Sequence, residues 1–317
     1  MDMKNGSRED GLSVIVPFYN EEDAIPLFLE TMDRYVLTCT FPIEFVFVND
    51  GSHDNSVTVL SNSQLENISS AKVVNLSKNF GSHAAIRAGI ENSFYDNCIW
   101  MGIDLQEPVE ILKIAYEKIK NDGYEAVYFE KKTIKVSPLT RMFSKLYSSL
   151  IQRYAVVNYY SNGIANIAFG PKIKDHLIRN RELNSSIILQ IMDAGFNHDK
   201  VMLDYGKRSA GKSKWTLSKK IKLFIDSFVS FSFVPIRFVS IIGIIIFVVG
   251  LIIGILTIIS GILNPEVPVG YPTIASILAL GFGVTNISLG IIAEYLWRTF
   301  DAARNRPAYI ISDIITL

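Results

Sequence analysis

Four short polar stretches hold the residue types that chemistry on an anionic substrate requires. Residues 16–22 read V-P-F-Y-N-E-E, and residues 48–54 read V-N-D-G-S-H-D. Residues 76–89 read L-S-K-N-F-G-S-H-A-A-I-R-A-G, with Lys78 and a glycine where a helix would open. Residues 101–108, M-G-I-D-L-Q-E-P, put Asp104, Gln106 and Glu107 within four positions. Oxygen ligands so spaced suit Mg²⁺ or Mn²⁺ bound partly through substrate phosphates. Asp50 offers acceptors to a nucleobase or ribose, and Asp54 stands where it can cap the following helix. Singly each stretch is ordinary, since a D-G-S turn is mostly a turn and an Asp near a strand end is mostly a cap.

The elements that must position these stretches alternate. Strand-like apolar runs fall at 12–17, 43–48, 71–76, 98–103 and 126–129. Helix-like segments lie between them at 21–36, 57–64, 82–92 and 109–121. That alternation predicts an α/β fold, a mostly parallel sheet with helices on both faces. Such sheets bind ligands at the carboxyl ends of their strands, where the four polar stretches fall.

The C-terminal third is different. Residues 238–263 and 267–293 contain no charge, and the runs 241–261 and 273–297 have the length and apolarity of membrane spans. The turn between them carries no Lys or Arg, whereas 207–237 holds eight basic residues and Arg298, Arg304 and Arg306 follow the second run. The positive-inside rule puts both ends in the cytoplasm. Residues 215–233 mix basic and apolar positions and read as an interfacial amphipathic helix, with 139–156 a second candidate. The expected organisation is a polar tail (1–11), a cytoplasmic domain (12–210) and a juxtamembrane amphipathic helix (211–235). A transmembrane helix (236–263), an external turn (264–271), a second transmembrane helix (272–297) and a cytoplasmic tail (298–317) complete it.

With 31 basic and 31 acidic residues among 317, the chain has no net charge, which argues against nucleic acid as a partner. The first eleven residues lack an apolar core, so no secretory signal peptide is read there. Cys39 and Cys98 stand alone and are expected to be reduced, buried thiols. Two spans with no polar cluster at their centres do not suit a transporter.

Taken together and in order, the motifs resemble the family 2 glycosyltransferases with a GT-A type nucleotide-sugar domain. More narrowly, the chain is similar to the polyisoprenyl-phosphate glycosyltransferases: bactoprenol glucosyltransferases, aminoarabinose-type undecaprenyl-phosphate transferases and, further off, dolichyl-phosphate mannose synthases. The resemblance runs from about residue 12 to 310. It rests on V-P-F-Y-N-E-E, the D-G-S turn, K-N-F-G-S-H-A-A-I-R-A-G and D-L-Q-E-P, and on R-S-A-G-K-S-K (208–214) and E-Y-L-W-R-T-F-D-A-A-R-N-R-P (294–307). It implies inverting transfer of one sugar from a nucleotide sugar, UDP-linked by preference, to polyprenyl (undecaprenyl) phosphate on the cytoplasmic leaflet of a bacterial inner membrane. The product would serve O-antigen or other cell-envelope modification through a flippase and a downstream transferase. The resemblance further implies a homotetramer and contact with membrane lipid. By the same resemblance Pro17, Asn20, Glu21 and Lys78 line the nucleotide pocket and Asp50 contacts the base. Asp104 and Gln106 meet the Mg²⁺ or Mn²⁺ and the diphosphate, and Arg208, Ser213 and Lys214 meet phosphates beside the membrane. Asp104, Gln106 and Arg208 are the implied catalytic set.

The chain departs from the family pattern at three places. Asn49 replaces an acid before the turn aspartate, and Gly102 replaces the first acid of D-x-D-L-Q. Where relatives carry D-x-G-D-F-R, this chain has S-N-G-I-A-N at 161–166, with Ser161 and Ile164 at acidic positions and Asn166 at the basic one. That last departure leaves a second reading open, a catalytically impaired scaffold that binds nucleotide or a membrane partner. A processive polysaccharide synthase is disfavoured, because no Q-x-x-R-W motif is present.

Overall fold

The computed structural model describes residues 8, 10–132, 149, 164–180, 186–206, 234–263, 271–304 and 306–317. The chain divides into two units, Met1–Phe224 with Pro307–Leu317, and Ile225–Arg306.

In the first unit the alternation yields β1 (Leu12–Phe18), α1 (Ile25–Val36), β2 (Ile43–Asn49), α2 (Ser56–Ser61), β3 (Ala71–Leu76), α3 (Ser82–Asn92), β4 (Asn97–Trp100), α4 (Ile111–Lys120) and β5 (Ala126–Lys131). These are the elements expected from the sequence, with ends shifted by a few residues. Further on come β6 (Ile164–Phe169), α5 (Pro171–Arg179), α6 (Ile187–Asp193) and β7 (His198–Leu203). The strands form one sheet in the order β7-β5-β6-β4-β1-β2-β3-β8, where β8 is Ile311–Thr316 at the C-terminus. The sheet is mostly parallel, as expected, but mixed: six of its eight strands share one direction. Strands β1, β2, β3 and β4 are mutually parallel, as are β5 and β7, but β6 runs antiparallel to both β4 and β5, and β8 runs antiparallel to β3.

Side-chain alternation assigns the helices to two faces. Leu12, Val14 and Val16 of β1 join Phe45 and Phe47 of β2 in a core with Ile25, Phe28, Leu29 and Met32 of α1 and Ile111, Leu112 and Ala115 of α4. The α1 positions recur at three- and four-residue spacing, which puts them on one stripe of the helix. The opposite face takes α3. A Cβ at Gly89 of that helix would lie 2.3 Å from Ile15 Cγ2, so only glycine lets α3 approach β1 so closely.

One buried charge ties the sheet together. Glu44, 1% exposed on β2, accepts hydrogen bonds from Ser13 Oγ of β1 at 2.6 Å and from the Phe94 amide at 2.7 Å. It also pairs with Lys72 of β3 at 2.8 Å. Both cysteines are free, and burial pushes the Cys98 thiol up to about 11, so that thiol is inert at neutral pH.

The second unit contains α7 (Val234–Leu263) and α8 (Tyr271–Ala303), which touch one another. Among the described residues one stretch, Leu280–Asp301, is long and apolar enough to cross a membrane, and Ile241–Gly250 is a shorter apolar segment. The chain then returns to the first unit, where β8 covers the β3 edge. Part of the stretch expected as a C-terminal tail (298–317) is thus a strand of the sheet. The amphipathic segments expected at 139–156 (residue 149 apart) and 215–233, and all of the turn expected at 264–271 except Tyr271, lie outside the described residues.

Candidate active site

Strands β1, β2 and β3 step outward in one direction, and β4 then returns to the other side of β1. The chain order therefore reverses between β1 and β4. A doubly wound sheet opens a ligand crevice at such a switch point, beyond the carboxyl ends of the strands. The loops that meet there are 17–22 after β1 and 101–108 after β4, flanked by 49–56 after β2 and 77–81 after β3.

The loops after β1 and β2 are stitched together by backbone amides. The Asn20 amide donates to Ser52 Oγ at 2.9 Å, and the His53 amide donates to Asn20 Oδ1 at 2.8 Å. The Glu21 amide donates to Ser56 Oγ at 2.9 Å. Asn20 itself is left-handed, at φ 53°, a conformation Asn tolerates better than most residues. Pro17, Asn20 and Glu21 are partly exposed at this edge and Lys78 is exposed.

The Asp50 carboxylate is engaged by the protein itself. It is 5% exposed, and its oxygens accept from the backbone amides of Phe80 at 2.7 Å and Gly81 at 2.9 Å. It thus anchors the loop that opens α3. The neighbouring Gly51, at φ 71°, lies under that loop, and a Cβ there would come within 2.4 Å of the Lys78 carbonyl carbon. Asp54, expected to cap the following helix, instead closes an Asx turn one residue before the N-cap position, which Asn55 holds. Its Oδ1 accepts from Ser56 Oγ at 2.6 Å and from the Ser56 amide at 3.1 Å, at the first residue of α2. Burial raises the Asp54 carboxyl, but the Ser56 and Glu22 hydrogen bonds outweigh it and hold the group below its ordinary value. A depressed carboxyl contributes stability above its unfolded pKa that is lost as pH falls through the folded one. Asp54→Ala should therefore cost about 1 kcal/mol at pH 7 and much less near pH 3, as read by urea denaturation at both values.

On the other side of the switch point, Gln106 Nε2 donates to Asp104 Oδ2 at 2.6 Å. Between them Leu105 sits at φ 50°, an unusual conformation for a branched residue, which brings both side chains of the pair together. Glu107, close beside this pair, is engaged by other partners. Its Oε2 accepts from the Gly102 amide at 3.3 Å, and its Oε1 accepts from Asn166 Nδ2 at 3.2 Å. Burial, with a smaller contribution from the Asp104 charge, pushes the Glu107 carboxyl up. Asn166, 1% exposed on β6, also donates to the Trp100 carbonyl at 2.8 Å and accepts from Tyr205 Oη at 3.0 Å. Burial, then the Glu107 charge, raises the Tyr205 hydroxyl, which keeps it a donor. The Gly206 amide donates to the Gln106 carbonyl at 2.8 Å. The segment that leads into residues 208–214 is thus bound directly to the D-L-Q loop.

Asn166, where the resemblance implied a basic residue, serves here as an uncharged brace for Glu107. Neither Tyr205 nor Gly206 carried a sequence signal; each is recruited by proximity in the fold. Arg208, Ser213 and Lys214, and residues 161–163, lie outside the described residues. His83 is partly buried; burial, then Arg87, holds it below its usual value. No group of three or more His, Cys, Asp or Glu converges on a metal-sized site among the described residues.

Residues 13–179 match the Glycosyl transferase family 2 profile. The chain belongs to glycosyl transferase family 2. It is therefore a glycosyltransferase. Its likeness to curated relatives runs over nearly its whole length. An uncharacterized glycosyltransferase of Synechocystis is 30% identical over 317 residues, covering 96% of this chain and 95% of the relative. An undecaprenyl-phosphate 4-deoxy-4-formamido-L-arabinose transferase of Shewanella sediminis is 30% identical over 322 residues, covering 99% and 95%. A prophage bactoprenol glucosyl transferase homolog of Escherichia coli is 29% identical over 318 residues, covering 96% and 99%.

Family 2 membership sharpens the meaning of Gly102, where some relatives carry an acid. A Cβ built at Gly102 lies 2.8 Å from Asp104 Oδ1 and 3.3 Å from Glu107 Oε2. Gly102→Asp is thus expected to lower turnover about tenfold or more rather than improve it. The added carboxylate crowds two others in a partly desolvated loop, which like-charge repulsion penalises. Initial rates of the variant and the wild type at saturating donor check this.

Proposed function

We propose that this glycosyltransferase moves one sugar from a nucleotide-diphosphate sugar, UDP-linked by preference, to polyprenyl phosphate at the cytoplasmic face of a membrane. The observation that carries the reading is the placement of Asp104 and Gln106 after β4, across the switch point from the stitched loops after β1 and β2. Pro17, Asn20, Glu21 and Lys78 would frame the nucleotide, with Asp50 holding the loop that bears Lys78.

The Asp104 carboxylate and the Gln106 carbonyl are hard oxygen donors, and two of them suit a Mg²⁺ or Mn²⁺ that completes its shell with substrate phosphates and water. Glu107 is a poorer ligand, because its oxygens are engaged by the Gly102 amide and Asn166. A bound divalent cation would neutralise charge that develops on the leaving diphosphate. Arg208, Ser213 and Lys214 are proposed, by resemblance, to hold phosphate groups. An oxygen of the lipid phosphate attacks the anomeric carbon as the carbon–oxygen bond to the nucleotide diphosphate breaks. The configuration inverts in this single displacement. The acceptor is already anionic at neutral pH, so the step needs no strong general base.

The membrane part of the proposal draws on chain connectivity. Residues up to Phe224 and from Pro307 belong to one unit, and β8 to one sheet with β1–β7, which supports a segment whose two ends lie on the same side of the membrane. An even number of crossings satisfies that, and α7 and α8 would supply two. Their exposed side chains include Ile244, Leu256, Phe282, Leu296 and Trp297, a surface that suits lipid better than water.

The test is direct. Detergent-purified protein is incubated with undecaprenyl phosphate, Mg²⁺ or Mn²⁺ and a panel of nucleotide sugars, and the lipid is read by mass spectrometry. A mass increase of one sugar supports the proposal and names the donor. Nucleotide binding without any product would favour the scaffold reading that residues 161–166 raise.

A further inference from the structure

Three strands bring Asn49, Asn75 and Asp313 onto one line across the sheet. Asn49 is opposite Asn75 in the parallel β2–β3 pair, and Asn75 is opposite Asp313 in the antiparallel β3–β8 pair. Their side chains are joined in one direction. Asn49 Nδ2 donates to Asn75 Oδ1 at 3.0 Å, and Asn75 Nδ2 donates to Asp313 Oδ2 at 3.0 Å. At the near end, Asn49 Oδ1 accepts the Ser52 amide at 2.8 Å, and Ser52 Oγ accepts the Asn20 amide at 2.9 Å. The relay therefore starts on the strand that follows the apolar helices and ends in the two loops of the nucleotide side.

We propose that Asp313 is a positioning residue for the nucleotide-binding loops, acting through Asn75 and Asn49 on the D-G-S turn and on Asn20. The assignment rests on the proposed function for what those loops bind.

The physical reason is polarity. A side-chain amide has one donor end and one acceptor end, while a carboxylate only accepts. Asp313 thus turns the Asn75 amino group toward β8 and its carbonyl toward β2. That carbonyl in turn draws the Asn49 amino group outward and leaves the Asn49 carbonyl for Ser52. Reversing either amide would set donor against donor. Asn49 and Asn75 are 6% and 8% exposed, so water offers little remedy. The same logic accounts for Asn49 standing where relatives carry an acid. A carboxylate at 49 would require Asn75 to turn its amino group inward, which would leave its carbonyl facing Asp313.

The test uses the full-length protein in detergent and three variants: Asp313→Ala, Asn49→Asp, and Asn49→Asp combined with Asp313→Asn. Affinity for UDP and GDP is measured by calorimetry with Mg²⁺, beside the donor KM, kcat and thermal midpoint. Asp313→Ala should weaken nucleotide affinity and raise donor KM ~10-fold, the equivalent of one hydrogen bond, with kcat little changed. Asn49→Asp should do at least as much. The double variant should recover most of the loss, because the amide introduced at 313 donates inward and the relay runs in reverse to the carboxylate introduced at 49. Two results overturn the relay alone: wild-type nucleotide binding left unchanged by Asp313→Ala, or a double variant no better than Asn49→Asp. A wild-type chain that binds neither nucleotide overturns this assignment and the proposed function together.

Discussion

Asp104→Asn is expected to lower sugar transfer by about 10²–10³-fold, the scale on which a charge stabiliser of the transition state acts. The substitution keeps the size and one oxygen of the side chain, so Gln106 Nε2 retains an acceptor. The loop is also held independently of Asp104, by the Gly206 amide on the Gln106 carbonyl and by Glu107 on the Gly102 amide. The fold should therefore survive, and the thermal midpoint should move little. What is lost is the negative charge that would hold a divalent cation against the leaving diphosphate. Chelation with EDTA should reproduce the loss in the wild-type enzyme, and excess Mg²⁺ or Mn²⁺ should restore the wild type but not the variant. Rates measured with and without chelator check both arms. Full activity in the variant would refute the assignment of Asp104 and the need for metal at this loop.

Glu44→Ala should have the largest effect on stability, about 3 kcal/mol. Three donors converge on that carboxylate from β1, β3 and the segment after α3, and truncation removes the acceptor of each, although Lys72 keeps the Asn92 carbonyl. Lys72 is a quarter exposed and can turn toward water, which holds the cost at the lower end of the range for a broken buried pair. Ser13 and the Phe94 amide have no such escape. Glu44→Gln, which keeps an oxygen for one of these donors, should cost less. Denaturant titration of the two variants separates the cost of the lost charge from that of the lost hydrogen bonds. Activity per folded molecule should be unchanged, because Glu44 lies at the amino end of β2, away from the switch-point loops.

The stretches that form the site were legible because they are local. Each lies directly after an apolar strand run, and strand periodicity with β-branched composition is a property of a few neighbouring residues. The same holds for Asp54, whose partner is two residues away, and for the uncharged runs that became α7 and α8. Sequence order also implied that the loops after β1–β4 share one edge, since parallel strands joined by helices all end on the same side.

The tertiary structure decided where the polar groups point. Asp50 sits in a motif that suggests a ligand contact, yet the loop after β3 folds over Gly51 and engages its carboxylate. Glu107 lies beside Asp104 in sequence, but β6, entering antiparallel next to β4, supplies Asn166, which occupies one of its oxygens. Gly206 closes on the D-L-Q loop, and Tyr205 on Asn166, from a segment nearly a hundred residues later. Asp313 reaches Asn75 across 238 positions only because the chain comes back from its apolar helices to add a strand at the β3 edge. Periodicity and turn chemistry act over a few residues and are written in the sequence. Strand order, register and the direction of a hydrogen-bond relay arise from contacts between distant segments, and they exist only once the sheet is assembled.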